Sequence, residues 1–210
     1  MDPRAISFKR IDDVSLEQVI GFILRFNGVA KFELIFYRTG RRLPRMEAYD
    51  DPERNYDRRV RMFRIGEDEL GESFEATAKL CRKRKRENMG LVSLVRMDDE
   101  KIRHIPMIDF QCPCCEEGLT EAIRALDWLG QRKGFLLESG RSYHYYGINV
   151  MTADEWVSFM RDCRERHVIG SSWPMHQLED GFSVLRISTS ISKPQLPKVI
   201  GIIGHFVFEK

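Results

Sequence analysis

The stretch GFLLESGRSYHYYG, Gly134 to Gly147, decides the fold. Two short extended runs flank Ser139, Gly140 and Arg141, and a pair of strands joined through such a turn is a β-hairpin. Upstream, Ile102–Phe110 is extended and ends in IPMIDF. Between that run and the hairpin, Ala122, Ile123, Leu126 and Leu129 recur at helical spacing, which predicts a helix starting at Gly118 or Thr120, running to about Lys133 and punctuated by Gly134. Downstream, Thr152-Ala-Asp-Glu155 is a capping box ahead of Trp156, Phe159, Met160 and Cys163, so a second helix follows. FSVLRISTS, Phe182 to Ser190, and KVIGIIGHFVF, Lys198 to Phe208, read as the last two strands.

The resulting order from Ile102 to Ser190 is β-α-β-β-α-β, which predicts an α+β fold with a split βαβ sheet like that of an RNA-recognition motif. A smaller αβ unit precedes it. Leu16, Val19, Ile20, Ile23, Leu24 and Phe26 form one helical stripe behind Ser15 as N-cap, and KFELIFYRT alternates as a half-buried strand. Arg41–Tyr56 is polar, with Pro44 and Pro52, and is expected to be a long loop. Phe74–Glu87 reads as a helix stopped near Gly90, and Leu91–Met97 as a strand. The chain is therefore expected to be a single domain, residues 1–210, made of an N-terminal αβ unit (1–97) and an RNA-recognition-motif-like unit (98–210).

A chain of 210 residues with 42% hydrophobic content can fill a real core. No apolar run approaches the roughly 18–20 residues of a membrane helix, and MDPRAISFKRIDD lacks the apolar segment of a signal peptide, so a cytoplasmic protein is expected. Five cysteines without a secretion signal argue for reduced thiols rather than a disulfide framework. Charge is segregated although the net is only +2: Arg38–Arg64 holds nine basic and five acidic residues, and Lys79–Arg86 six basic and no acidic ones. Such clustering, with Arg82, Lys83, Arg84, Lys85 and Arg86 at its densest, suits a nucleic-acid phosphate backbone, although a solvated helix face or a localisation signal carries the same pattern.

Three features carry the candidate chemistry. Asp109 stands at a strand exit, where a carboxylate can hold a hard cation between protein and substrate phosphates. Ser142 and His144 are two apart on a strand and share a face, so hydroxyl and imidazole can grip one phosphate with Arg141 and the turn's N–H groups beside them. Arg186, on a later strand, offers a bidentate phosphate contact. The competing structural readings are a turn aspartate, a satisfied sheet histidine and an ion-paired arginine. A Ser/His hydrolase is disfavoured because Cα atoms two apart on a strand lie about 7 Å apart.

Taken together, a strand ending in Asp109, the triplet Ser142-Tyr-His144 and a third strand after a helix resemble the archaeo-eukaryotic primase superfamily, in particular its small bacterial primase-like domains. The resemblance spans roughly Ile102–Ser190. It implies that Asp109 begins the first, metal-binding motif with Mg or Mn as cofactor, that Ser142 and His144 bind the incoming nucleotide's phosphates, and that Asp109 and His144 are catalytic. The chain departs from the family pattern at Gln111, where a second carboxylate would stand, and around Arg186, where Ser188 offers no acid. Glu138, Asp180 or Glu116 would have to substitute. The expectation is thus a nucleotide- or nucleic-acid-binding domain whose nucleotidyltransferase activity is weak or lost. The alternatives are an active primase-polymerase and a non-catalytic module that binds a protein partner. Cys112-Pro-Cys114-Cys115 lacks a distant Cys-x-x-Cys, so a structural zinc, which would need Cys163 or His144, is not expected.

Overall fold

The alternation of Tyr143–Gly147 against Gly134–Glu138 forms the predicted hairpin, and the rest of the structure is arranged around it. The computed structural model describes residues 6–37, 60–64 and 88–208. The expected Arg41–Tyr56 loop and Phe74–Glu87 helix, and the basic run Arg82–Arg86, lie outside the described residues. One sheet has the order β1 (Phe8–Arg10), β10 (Lys198–Ile203), β7 (Gly134–Glu138), β8 (Tyr143–Gly147), β6 (Met107–Asp109), every neighbouring pair being antiparallel. The second has the order β3 (Val60–Arg64), β2 (Val29–Tyr37), β4 (Asn88–Met97), β5 (Ile102–His104), with β9 (Val184–Arg186) also paired to β4. Four helices complete the described chain: α1 (Leu16–Phe26), α2 (Glu116–Trp128), α3 (Ala153–Arg164) and α4 (Ser172–Asp180).

The two-residue period of the hairpin sorts its side chains into two cores. Leu136, Tyr143 and Tyr145 face α2 and α3, packing with Leu126, Trp156, Phe159 and Met160. Phe135, Leu137 and Tyr146 face the other way, toward α1 and the second sheet, packing with Ile20, Leu24, Phe32 and Leu91. The first sheet is thus covered on both faces, and each Leu, Ile or Phe it buries stabilises the fold by roughly 1.5–3 kcal/mol. Thr152 completes the expected capping box with Glu155, and Ser15, expected only as an N-cap, completes one with Gln18.

The α+β class agrees with expectation, but the fourth strand of the split βαβ motif goes elsewhere. Val184–Arg186 joins β4 at Gly90–Val92, on the edge that β5 occupies at Leu94–Arg96. Ser93 sits at the division: its N–H donates to Ser183 O, its hydroxyl accepts from Ser183 N at 2.8 Å, and its carbonyl accepts from Ile105 N. Buried Ser183 and Ser93 satisfy each other's polar groups here, which fixes the junction more strongly than the local apolar pattern does. Element boundaries also differ. α2 begins at Glu116 because the Cys115 sulfur accepts from Gly118 N, and it ends at Leu129 and Gly130, whose φ of +67° breaks the helix, rather than near Lys133 and Gly134. Ser172–Asp180, with Pro174 in its first turn and Gly181 at φ +78° after its end, forms a helix that no periodicity announced. β9 and β10 are shorter than the extended runs that contain them.

Candidate functional site

Asp109 and His144 are direct register partners across β6 and β8, so their side chains project from the same face. His144 Nε2 lies 3.5 Å from Asp109 Oδ1, an electrostatic contact rather than a short hydrogen bond. His144 is buried, whereas the Asp109 side chain is 41% exposed, so the carboxylate forms the outer layer and the imidazole the layer beneath it. The Nδ1 of His144 has no hydrogen-bond partner among the described residues. Ser142 lies on His144's side of the strand alternation, in a turn where Ser139 N donates to Ser142 O at 2.8 Å and the two serine hydroxyls are 3.3 Å apart. Gly140 supplies that turn's φ of +114°, a conformation side-chain-bearing residues avoid. Arg141, between them, is exposed.

Arg186 does not present the free fork expected of a phosphate ligand. It is buried, and its Nη1 donates to Ser188 O and to Gln195 O (2.7 Å) while its Nη2 donates to Ser139 O (2.6 Å). The guanidinium therefore clamps the hairpin turn to the segment after β9, and its charge acts on the site at short range. A second cation, absent from the sequence-based expectations, is Lys193. Its backbone is fixed by a reciprocal pair of bonds with Ser190 (2.9 and 3.1 Å), its side chain is exposed, and its charge bears on both Asp109 and His144. Only its setting in the Ser- and Pro-rich segment SISKPQLPK could have drawn attention to it, because its proximity to Asp109 is created by β9 pairing with β4.

These neighbours fix the charge states. Burial pushes the Asp109 carboxyl up to about 6, with Lys193 and Arg186 pulling it back; solvent access restrains the rise, and the group is ionised at neutral pH. Burial, then Arg186 and Lys193, hold the His144 imidazole down at about 3, so it is neutral there. Tyr37 and Tyr146 complete the surroundings, their hydroxyls raised well above the usual range chiefly by burial, and the Tyr146 hydroxyl has no hydrogen-bond partner among the described residues. Counted over the described residues, one carboxylate, two cations and a neutral imidazole give the cluster a net charge of about +1, which suits an anion.

The other polar groups of the region serve the scaffold. The Tyr143 and Tyr145 hydroxyls donate to Cys115 O (3.0 Å) and Lys133 O (2.8 Å). Cys114 is exposed, its thiol 3.1 Å from the Ser142 carbonyl, and Cys112 and Cys163 are buried. Glu138 pairs with Tyr143 and so faces away from Asp109; Glu116 opens α2 and Asp180 closes α4. No group of three His, Cys, Asp or Glu side chains converges among the described residues. Among the described residues the set around Asp109 is one carboxylate, with the amide Gln111 two positions on and the charges of Arg186 and Lys193 bearing on it, and that set does not fit a site built for two divalent ions.

The arrangement defines a primase-like α+β domain: the profile of the archaeo-eukaryotic primase 1D-like family matches residues 67–198, well over half of the chain, and the chain belongs to that family. Among solved structures it is similar to the catalytic domain of primase Repb' in complex with initiator DNA, with 13% identity, 87% of this chain and 82% of that one covered, and a TM-score of 0.48. It is also similar to the archaeo-eukaryotic primase domain of the cyanophage S-2L primase-polymerase, with 13% identity, 92% and 90% coverage, and a TM-score of 0.42. No curated protein matches the sequence. Among the described residues no helix is long and apolar enough to cross a membrane.

Proposed function

We propose that this chain is a single primase-polymerase-like domain that binds the phosphates of a nucleotide or nucleic acid at Asp109, Ser142 and His144, with nucleotidyl transfer weak or lost. The observation that carries the reading is the direct pairing of Asp109 with His144, on the same face as Ser142 and within the field of Arg186 and Lys193. Arg141 at the turn and Lys193, both exposed, supply the charges that meet the ligand, while Arg186 holds the turn. The basic run Arg82–Arg86 belongs to the same proposal as a contact to the nucleic-acid backbone, and reversing those charges should lower affinity for single-stranded DNA and flatten its salt dependence.

Template-dependent transfer needs a second and third acid around Mg or Mn, and Gln111 and Arg186 supply neither. Isothermal titration with a nucleoside triphosphate tests the binding, and primer extension on a defined template with Mg or Mn tests the chemistry. Binding with no extension is the expected result. Robust extension abolished by Asp109→Ala would establish an active polymerase instead, and no nucleotide or DNA binding at all would leave a protein-interaction module.

A further inference from the structure

The charges around Asp109 are already balanced by the protein itself. Two cations bear on its carboxylate, one of them immobilised: Arg186 is bonded to carbonyls from the hairpin turn and the segment after β9, so its charge cannot swing away. The residue two positions on is the neutral amide Gln111, and the one register partner is His144, whose Nε2 faces Asp109 Oδ1. Among the described residues, a divalent ion brought to Asp109 would meet one carboxylate and the repulsion of both Arg186 and Lys193, whereas a polyphosphate would meet the same cations as attractive partners.

We infer that the site takes a free polyphosphate or nucleoside triphosphate on the protein's own side-chain cations, the exposed Lys193 and the immobilised Arg186, rather than as a complex with a divalent metal ion. The inference rests on the phosphate-binding reading above and specifies how the ligand's charge is met. It gives Asp109 an unexpected sign. In a metal-held site this carboxylate is the anchor of binding; in a site of side-chain cations it is a like charge facing the ligand, offset by Arg186 and Lys193.

The test is isothermal titration of the intact chain with ATP and with inorganic tripolyphosphate, once in excess EDTA and once in MgCl2 or MnCl2. The expected result is binding in EDTA at least as tight as with the metal. Lys193→Ala should weaken it about tenfold and Lys193→Arg should retain it, since tenfold corresponds to the loss of one favourable charge contact. Asp109→Asn, nearly isosteric at a partly exposed position and verified as folded by circular dichroism, should tighten binding in EDTA several-fold. Binding that appears only with the divalent ion and vanishes in Asp109→Asn overturns the inference and leaves the phosphate-binding reading standing. No binding of either ligand under either condition removes both.

Discussion

Arg186 illustrates how far a single side chain can depart from its most obvious reading. An arginine on a strand facing a suspected phosphate site invites a bidentate contact, yet its donors are taken by the carbonyls of Ser139, Ser188 and Gln195. A buried guanidinium so bonded is a strut, and removing it strands three acceptors at once. Arg186→Met should therefore destabilise the fold by on the order of 3 kcal/mol, read as a lower urea midpoint at unchanged slope. Arg186→Lys should recover little, because a single ammonium cannot span acceptors that the planar fork reaches together. The converse holds for Lys193, which lies in a loop that sequence patterning passes over, and whose charge reaches Asp109 and His144 only through tertiary placement. Backbone carbonyl acceptors leave no mark on the side-chain sequence, so a buried strut and a ligand-binding arginine look alike until the fold is known. The strand positions of Asp109 and His144 were legible because a strand exit and a two-residue alternation are local features, whereas their direct pairing is a product of the sheet.

At the scale of elements, what could be read was whatever carried its own boundary chemistry. α1 and α3 combine a capping box with an apolar stripe, and both were evident from sequence. α4 has Pro174 in its first turn and only Pro174 and Gln177 buried, so its inward face is set by contact rather than periodicity. β9 is chosen as a partner of β4 by groups distant in sequence: the Ser93–Ser183 bonds and the Gln177 side chain, whose Oε1 accepts from Val184 N at 2.9 Å. Two substitutions measure these local devices. Thr152→Ala removes the acceptor for Glu155 N and should cost about 1 kcal/mol. Gly118→Ala, although it replaces glycine inside a helix, should cost more, about 2 kcal/mol, because the added Cβ would stand 2.1 Å from the Pro113 carbonyl oxygen and the Cys112–Cys115 loop would have to move. Chemical denaturation of the two variants in parallel gives the ranking; an alanine at position 118 that stabilises, as helix propensity alone predicts, would show that the loop yields freely.

Across the whole molecule, the buried histidines couple folding to pH. His104 ties the second sheet to α3: it ends β5, stacks on Trp156 with ring centroids 4.5 Å apart, and lies 3.2 Å from the Ser93 hydroxyl of β4. Burial holds its imidazole down at about 4, and His144 is held still lower. Both are neutral in the folded protein at pH values where an unfolded histidine, with a pKa near 6.5, begins to take up a proton. The unfolded state therefore binds more protons, and the contribution of His104 is complete above about pH 6.5 and lost as the pH falls toward 4. Asp109 runs the other way, its raised carboxyl taking a proton in the folded state first, but its exposure makes that offset partial. His104→Phe keeps a ring against Trp156 and removes the titration. Between pH 6 and 4.5 the unfolding free energy of the wild type should fall more steeply than that of this variant, by up to about 1.4 kcal/mol per pH unit. Parallel slopes in denaturant titrations across that range would mean that His104 gains its proton in place beside Trp156, and that the acid sensitivity belongs to other groups.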